Sequence, residues 1–248
     1  MGIKSLLGFL TIIPVRMDKH SFEEAAELMH LFPLLGAFIG FLAGMFAFLI
    51  FKLLPNLVVG ILTLGFLLLI TGLHHTDGLL DFGDGLMAQG SPQKKIKVMH
   101  DKQTGTGGVA LGLITFLTTA LAIGGLTRII ILQSLVTAEV SAKLAMVVAA
   151  WAGKSAHKGM NTYFINIMHD RYRSLRMIAA LIISFGIAMP LLPFIGVIGI
   201  VASILTGLIM VWISNRHFRG MTGDVFGATN DLARMTTLIA ILAAIKWL

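Results

Sequence analysis

The chain has 248 residues, of which 56% are hydrophobic and only 12% are charged, and its formal net charge is +7 at pH 7. A water-soluble core cannot hide so much apolar surface, so this composition excludes an ordinary soluble protein. The absence of cysteine excludes disulfides and a thiolate zinc site, and any metal would take oxygen or imidazole ligands. The positive charge is typical of cytoplasmic loops in membrane proteins, and we expect no nucleic-acid binding.

The amino-terminal sequence MGIKSLLGFLTIIPV has the charged-then-apolar outline of a signal peptide. No small-residue cleavage pattern follows it, and Pro14 and Arg16 interrupt the apolar run. We therefore expect a retained segment that lies at the membrane interface or re-enters the membrane.

Seven apolar runs follow, and most are long enough to cross a hydrocarbon core of about 30 Å as helices. The breaks between them are alternately tight and long, and the long polar stretches cover residues 72–108, 153–176 and 214–237. This alternation predicts three hairpins in an all-α, polytopic membrane helix bundle whose long loops share one face. The predicted spans cover approximately residues 31–54, 57–73, 109–126, 129–151, 178–193, 195–213 and 238–248, the last being short.

Lysine and arginine are distributed unequally between the two sets of breaks. The amino-terminal segment and the long stretches carry most of them, whereas the opposite side keeps only Lys52, Arg128 and Lys246. The positive-inside rule therefore predicts a multi-pass protein of the cell membrane with its long loops in the cytoplasm. No linker, low-complexity tract or repeat divides the chain, so we expect one domain over residues 1–248, with the oligomeric state left open.

The most informative stretch begins after the second span. Asp77, Asp81 and Asp84 are spaced i, i+4, i+7, so a helical continuation of that span would place three carboxylates on one face. Mutual repulsion makes such a face costly without a cation, and Mg²⁺ takes oxygen ligands that it shares with substrate phosphates. The spacing favours a magnesium site, and the alternative is a solvated acidic cap at a helix end.

Glycines and histidines surround these aspartates. Gly78, Gly83 and Gly85 would each weaken a helix by up to about 1 kcal/mol, and we interpret them as places where backbone approaches a ligand. His74 and His75 are candidate metal ligands or general bases, or a satisfied polar boundary at the membrane interface.

The rest of this stretch is basic and then rich in glycine. Lys94, Lys95 and Lys97 lie in an amphipathic segment that would face either lipid phosphates or an anionic substrate. The sequence DKQTGTGG at residues 101–108 adds a carboxylate, a cation, hydroxyls and bare amides that could wrap a phosphate. An ordinary flexible loop before a helix is the alternative.

Two later regions also carry charge. Glu139 and Lys143 lie at membrane depth in the fourth span, and their i, i+4 spacing predicts that they pair with each other. The last long stretch combines glycines with Asp224 and Asp231. Two acidic, glycine-rich loops on one side of the membrane indicate one shared site.

The sequence GLHHTDGLLDFGDG at residues 72–85 closely resembles the signature of the cobalamin synthase family, the adenosylcobinamide-GDP ribazoletransferases. Residues 9–14 with 32–36, residues 99–108 and residues 222–228 resemble other motifs of that family in the same order. Two departures are Lys143, where the family commonly has Arg after a Ser, and residues 153–159, which lack the usual Pro and Ala-Arg pattern.

The resemblance implies membrane residence and an Mg²⁺-dependent reaction. Phosphorylated cobinamide passes from its GDP adduct to a hydroxyl of α-ribazole or its 5'-phosphate, which forms adenosylcobalamin and releases GMP. The Mg²⁺ ligands it implies are Asp77, Asp81 and Asp84, and Asp101 and Asp224 are further ligands or the catalytic base. The substrate-binding residues that it implies are His74, Lys102, Gly105, Thr106, Gly108, Thr222, Gly223 and Asp231.

Two other classes of protein share part of the pattern. Asp81-x-x-Asp84-Gly85-x-x-Ala88 partly matches the opening motif of membrane CDP-alcohol phosphotransferases, but Gln89 replaces its Arg. A cation transporter would need carboxylates at mid-membrane on broken helices, whereas these aspartates occupy predicted loops.

Overall fold

The computed structural model describes residues 2–15, 19–157 and 159–247, and within these ranges the chain is helical. One parallel bridge joins Ser155 to Met221. A 3₁₀ turn, Met29–Leu31, leads into the third helix. The helices are α1 (Gly2–Leu10), α2 (Lys19–Glu27), α3 (Phe32–Ile50), α4 (Asn56–Ile70), α5 (His74–Met87), α6 (Pro92–Met99), α7 (Thr106–Gly124), α8 (Ile131–Ala152), α9 (Met160–Met168), α10 (Arg173–Leu191), α11 (Pro193–Phe218) and α12 (Gly223–Trp247).

By length and composition, six helices in the described part of the chain can cross a membrane: α3 with its preceding turn, α7, α8, α10, α11 and α12. Helices α4 and α5 pass the same test only as a pair, and the chain bends by 100° between them. The predicted polytopic bundle is confirmed. Helix α1 has nine residues, too few to span a bilayer, and Arg16 lies outside the described residues.

Helix α8 is the centre of the bundle, and every residue from 134 to 150 is buried. Small residues let neighbouring helices approach it closely. On α3, Gly36, Gly40 and Gly44 face the α8 backbone, and a Cβ atom at Gly40 would lie 2.6 Å from the carbonyl oxygen of Leu135. Such spacing of small residues is a common basis of helix packing in membranes.

A buried ionic network joins α8 to α12. The Glu139 carboxylate lies 3.7 Å from the Lys143 ammonium, which confirms the predicted pair, and it also binds the Arg234 guanidinium. Arg234 forms a second ion pair at 2.6 Å with Asp231, and Lys143 donates a 2.5 Å hydrogen bond to Asn230. All five side chains are buried, so each charge has its partner inside the bundle.

The prediction of a long loop at residues 214–237 followed by a short last span is wrong. Helix α11 continues to Phe218, α12 begins at Gly223, and four residues form the turn between them. Arg219 and Gly220 make this turn with positive φ angles of 64° and 154°. The stretch looked like a loop because it is polar, but Asp231 and the other charged residues of the network pair inside the bundle.

The break between α4 and α5 determines where the acidic helix lies. Gly72 and Leu73 have φ angles of 70° and 60°, which end α4 and turn the chain. Helix α5 therefore does not continue the second span, as the sequence suggested, but crosses the first turns of α7 and α12. The backbone of Gly78 faces Asp224 of α12, and Gly83 faces the start of α7.

We expect Glu139→Gln to lower the free energy of unfolding by about 3–5 kcal/mol, because buried Lys143 loses its ion-pair carboxylate and buried Arg234 keeps only Asp231. The measurement is thermal unfolding of purified protein in detergent. Glu27→Gln, a matched change at an exposed position of α2, should alter stability by no more than about 0.5 kcal/mol. Equal melting temperatures for the two variants would contradict this account of the network.

Candidate active site

Helix α5 presents its aspartates at one end of the bundle. Asp77 is exposed, Asp81 is half-buried and Asp84 is buried, and all three lie on one face of the helix, as their spacing predicts. Asp224 lies in the first turn of α12, which α5 crosses. Carboxylates from two helices that are distant in sequence are therefore brought together.

Burial and the neighbouring carboxylates shift the pKa of Asp81. Burial, followed by the charges of Asp224, Asp77 and Asp84, raises the pKa of Asp81 to about 7. The charges that act on this group are all negative. A cation placed among the carboxylates would relieve the repulsion and favour the ionised form of Asp81.

Asp84 has structural partners that the sequence did not reveal. Its Oδ2 accepts a 2.6 Å hydrogen bond from the amide of Gly105, and its Oδ1 accepts one of 2.8 Å from the amide of Gly108. Asp84 thus caps the amino terminus of α7 from a neighbouring helix. Two of the amides predicted to wrap a phosphate are used in this way, and a metal-binding role for Asp84 stays a prediction.

The glycines of α5 serve helix packing rather than approach to a ligand, which corrects our interpretation of them. A Cβ atom on Gly78 would lie 2.8 Å from the carbonyl oxygen of Asp224, and one on Gly83 would lie 2.9 Å from the carbonyl oxygen of Gly107. A Cβ atom on Gly85 would overlap the Met99 side chain. These glycines let α5 lie directly on α12, α7 and α6.

The first turn of α12 holds several residues of the predicted set. Buried Thr222 caps the helix by accepting a 3.2 Å hydrogen bond from the Val225 amide, and its hydroxyl donates to the Asp224 carboxylate at 3.4 Å. Gly223 is exposed, with open space where a side chain would be. The structure places Asp231 deeper, within the ionic network, where Arg234 and not a substrate is its partner.

Asp101 and its neighbours occupy a separate region. Asp101 and Lys102 are exposed in the loop between α6 and α7, and Asp101 accepts a 3.3 Å hydrogen bond from the Gln103 amide. Together with Lys94 and Lys97 they line an open groove of about 760 Å³. Thr106 is exposed at the first position of α7. The structure thus puts basic side chains, and not the α5 carboxylates, around Asp101.

A more enclosed cavity of about 400 Å³ lies beside the carboxylates. Its polar wall consists of His74, His75, Asn161 and Asp224. Asn161 is held in place because its side-chain amide donates to the Ser155 hydroxyl and to the Met221 carbonyl, each at 2.8 Å. The sequence had not singled out Asn161, which belongs to no motif and lies in a short helix with several other polar residues.

His75 lines the cavity and is also influenced by the charges of the ionic network. Burial, followed by the charges of Lys143, Arg234 and His74, holds the pKa of His75 well below its usual value, so its ring is neutral. Its Nδ1 atom is buried and has no hydrogen-bond partner among the residues that the structure describes. The charges of the network therefore act on a residue that lines the cavity.

The donor set at this end of the bundle suits magnesium. In the described ranges, no three acidic or imidazole side chains converge closely enough to surround an ion by themselves. Protein-bound Mg²⁺ commonly takes only one or two carboxylates and completes its shell with water and substrate phosphates. Asp77, Asp81 and Asp224 are oxygen donors in a crowded acidic environment, so they fit an ion that is shared with a substrate.

The fold and this site define a polytopic membrane protein with an acidic centre at one end of its bundle. The sequence model of the cobalamin-5-phosphate synthase family matches residues 2–242, and the chain belongs to that family. The resemblance seen in the motifs is confirmed, and it favours the ribazoletransferase interpretation over the CDP-alcohol phosphotransferase and transporter alternatives.

Relatives cover nearly the whole chain. The adenosylcobinamide-GDP ribazoletransferase of Methanococcoides burtonii is 34% identical over 99% of this chain and 93% of its own. The enzymes of the same name from Methanocella arvoryzae and Thermococcus kodakarensis are 33% and 31% identical, over 100% and 99% of this chain and 97% and 99% of theirs. No solved structure matches the chain.

Asp84→Asn should destabilise the protein, whereas Asp81→Asn should not. Asn at position 84 keeps one acceptor oxygen, so one of the two amides at the start of α7 loses its partner at a cost of about 1–3 kcal/mol. Asn at position 81 removes a charge from a crowded set and should leave the melting temperature unchanged or higher. Thermal unfolding of both variants in EDTA checks this, and a more severe loss for Asp81→Asn would contradict it.

Gly78→Ala should destabilise the protein by about 1–3 kcal/mol, because the added methyl group meets Asp224 backbone atoms that cannot move independently. Gly65→Ala is the matched control on α4, where a Cβ atom would contact nothing within 4 Å. That change should be neutral or stabilising by up to about 1 kcal/mol. The comparison is made by thermal unfolding, and equal effects would refute the close crossing of α5 and α12.

Proposed function

We propose that this chain is an adenosylcobinamide-GDP ribazoletransferase. It transfers the phosphorylated cobinamide moiety from adenosylcobinamide-GDP to α-ribazole or its 5'-phosphate, forming adenosylcobalamin, or its phosphate, and GMP. The observation that carries the proposal is the family match over residues 2–242, which includes both elements of the carboxylate cluster. The cluster supports it because phosphoryl transfer needs charge neutralisation and positioning.

Magnesium is part of this proposal. Asp77 and Asp81 would hold Mg²⁺, which supplies neutralisation of phosphate charge when it is bound. Asp84 holds the start of α7 against α5 and thereby positions the cluster. The exposed cations of the open groove, Lys102 together with Lys94 and Lys97, would bind the anionic donor.

The chemical step is a displacement at phosphorus. The acceptor hydroxyl oxygen bonds to the phosphorus that carries cobinamide, the bond from that phosphorus to the bridging oxygen breaks, and GMP leaves with that oxygen. Of the two predicted bases, Asp224 is the better placed to take the hydroxyl proton. It lines the enclosed cavity, whereas Asp101 lies in the open groove.

We further propose that this end of the bundle faces the cytoplasm. The long connections that carry α5, α6 and α9 lie at this end and hold many of the lysines and arginines. The positive-inside rule places such connections on the cytoplasmic side.

The test is formation of cobalamin and GMP by detergent-purified protein given adenosylcobinamide-GDP, α-ribazole and Mg²⁺. We expect product in the complete mixture and none with EDTA. Asp81→Asn and Asp224→Asn should lower turnover by at least about 100-fold, the scale for a positioned catalytic group.

Two further variants sharpen this test. Asp101→Asn should lower turnover by less than about tenfold if Asp224 is the base. Asp170→Asn is a matched control, because this carboxylate pairs with Arg176 at 2.7 Å in the turn before α10 and should not affect turnover. Wild-type turnover in Asp81→Asn, or activity that persists in EDTA, would refute the assignment of the metal.

A further inference from the structure

The apolar part of the enclosed cavity is lined by aromatic rings from four separate elements. Phe9 of α1 lies against Phe22 of α2 with ring centroids 6.1 Å apart, and against Phe164 of α9 at 5.0 Å. Phe32, at the start of α3, completes the group at 5.9 Å from Phe164. Because no single helix could assemble these rings, the short helices α1, α2 and α9 together form an aromatic chamber.

The aromatic chamber and the carboxylate cluster share one wall. Asp224 lines the cavity and also acts on the charge of Asp81, while His74 and His75 begin the helix that carries Asp77 and Asp81. A molecule with one end among the rings would therefore reach the carboxylates with its other end. His74, Asn161 and Asp224 form a polar wall that such a molecule would meet beyond the rings.

The size and lining of the chamber indicate which part of the two substrates it would bind: the corrin macrocycle, the guanine or the benzimidazole. A volume of about 400 Å³ is in the lower range for small-molecule sites, roughly 300–1,000 Å³, and suits a nucleoside better than a corrin macrocycle. Guanine carries donors and acceptors along its edges, and an apolar lining would leave them unpaired. A benzimidazole ring is flat and largely apolar, so burial among phenylalanine rings costs it little.

We propose that the aromatic chamber binds the benzimidazole base of the acceptor nucleoside and directs its ribose toward Asp224. This inference rests on the proposed function and assigns its acceptor subsite. The base lies among Phe9, Phe22 and Phe164, and the ribose lies toward the polar wall that His74, Asn161 and Asp224 form. The reacting hydroxyl then lies at the carboxylate wall, where its proton can pass to Asp224.

The experiment measures KM separately for the two substrates. Phe22→Leu and Phe164→Leu keep an apolar side chain but remove a ring, so KM for α-ribazole should rise about tenfold, the scale of one lost stacking contact. KM for adenosylcobinamide-GDP should stay within about twofold. Phe22→Tyr keeps a ring and should restore KM for α-ribazole to within about threefold of wild type. Phe194→Leu, at an exposed position of α11, is the matched control and should change neither value.

A binding measurement separates this inference from the proposed function. Equilibrium dialysis of α-ribazole against wild-type protein in EDTA, without the corrinoid, should show saturable binding that the Leu variants weaken. Binding of α-ribazole that the Leu variants weaken, without any turnover, would support the chamber assignment and overturn the proposed transfer. Turnover with an unchanged KM for α-ribazole in both Leu variants would overturn the chamber and retain the transfer. A rise in KM for the corrinoid alone, or an acyl chain of detergent or lipid in the chamber, would also overturn it.

Discussion

The ionic contact between Glu139 on α8 and Arg234 on α12 is the constraint on which the site depends. A buried charge that loses its partner costs several kcal/mol, and a slip of α12 by one turn, about 5.4 Å, would separate the pair. The register of α12 is therefore fixed against the most buried helix of the bundle. Because Asp224 lies in the first turn of α12, this register also sets its position against α5. A contact deep among the helices thus determines where a carboxylate stands at their end.

The repulsion within the acidic cluster is partly offset because the cluster lies where two helices begin. The amino-terminal ends of α7 and α12 both contact α5. Each end has amides without a partner inside its own helix, and it carries a partial positive charge. Asp84 uses this directly by accepting two amide hydrogen bonds from α7. Asp224 lies in the first turn of α12, where a negative charge gains about 0.3–1 kcal/mol. These contributions offset only part of the repulsion, and Asp81 remains a group that a cation would stabilise.

Residue spacing and hydropathy predicted local structure well, but they did not predict contacts between residues that are distant in sequence. The membrane bundle, the shared face of the α5 aspartates and the Glu139–Lys143 pair follow from spacing and hydropathy, which the chain carries within a few residues. The part of Arg234 in the network could not be foreseen, because its partner lies 95 residues away. The same limit hid the capping role of Asp84, whose amide donors belong to another helix. Polarity alone led to the wrong prediction of a loop at the start of α12. The sequence does not show whether a polar side chain contacts water or a buried partner.

The order of features along α5 fits the geometry that phosphoryl transfer requires. His75 lines the enclosed cavity at the start of the helix, and Gly85 packs on α6, the wall of the open groove, near its end. Ten residues of helix separate these points by about 15 Å, and Asp77 and Asp81 lie between them. An acceptor held in the cavity and a donor held in the groove would approach the carboxylates from different ends of α5. Attacking and leaving oxygens must be roughly in line at phosphorus, so separate sites for acceptor and donor would satisfy this demand better than one shared pocket would.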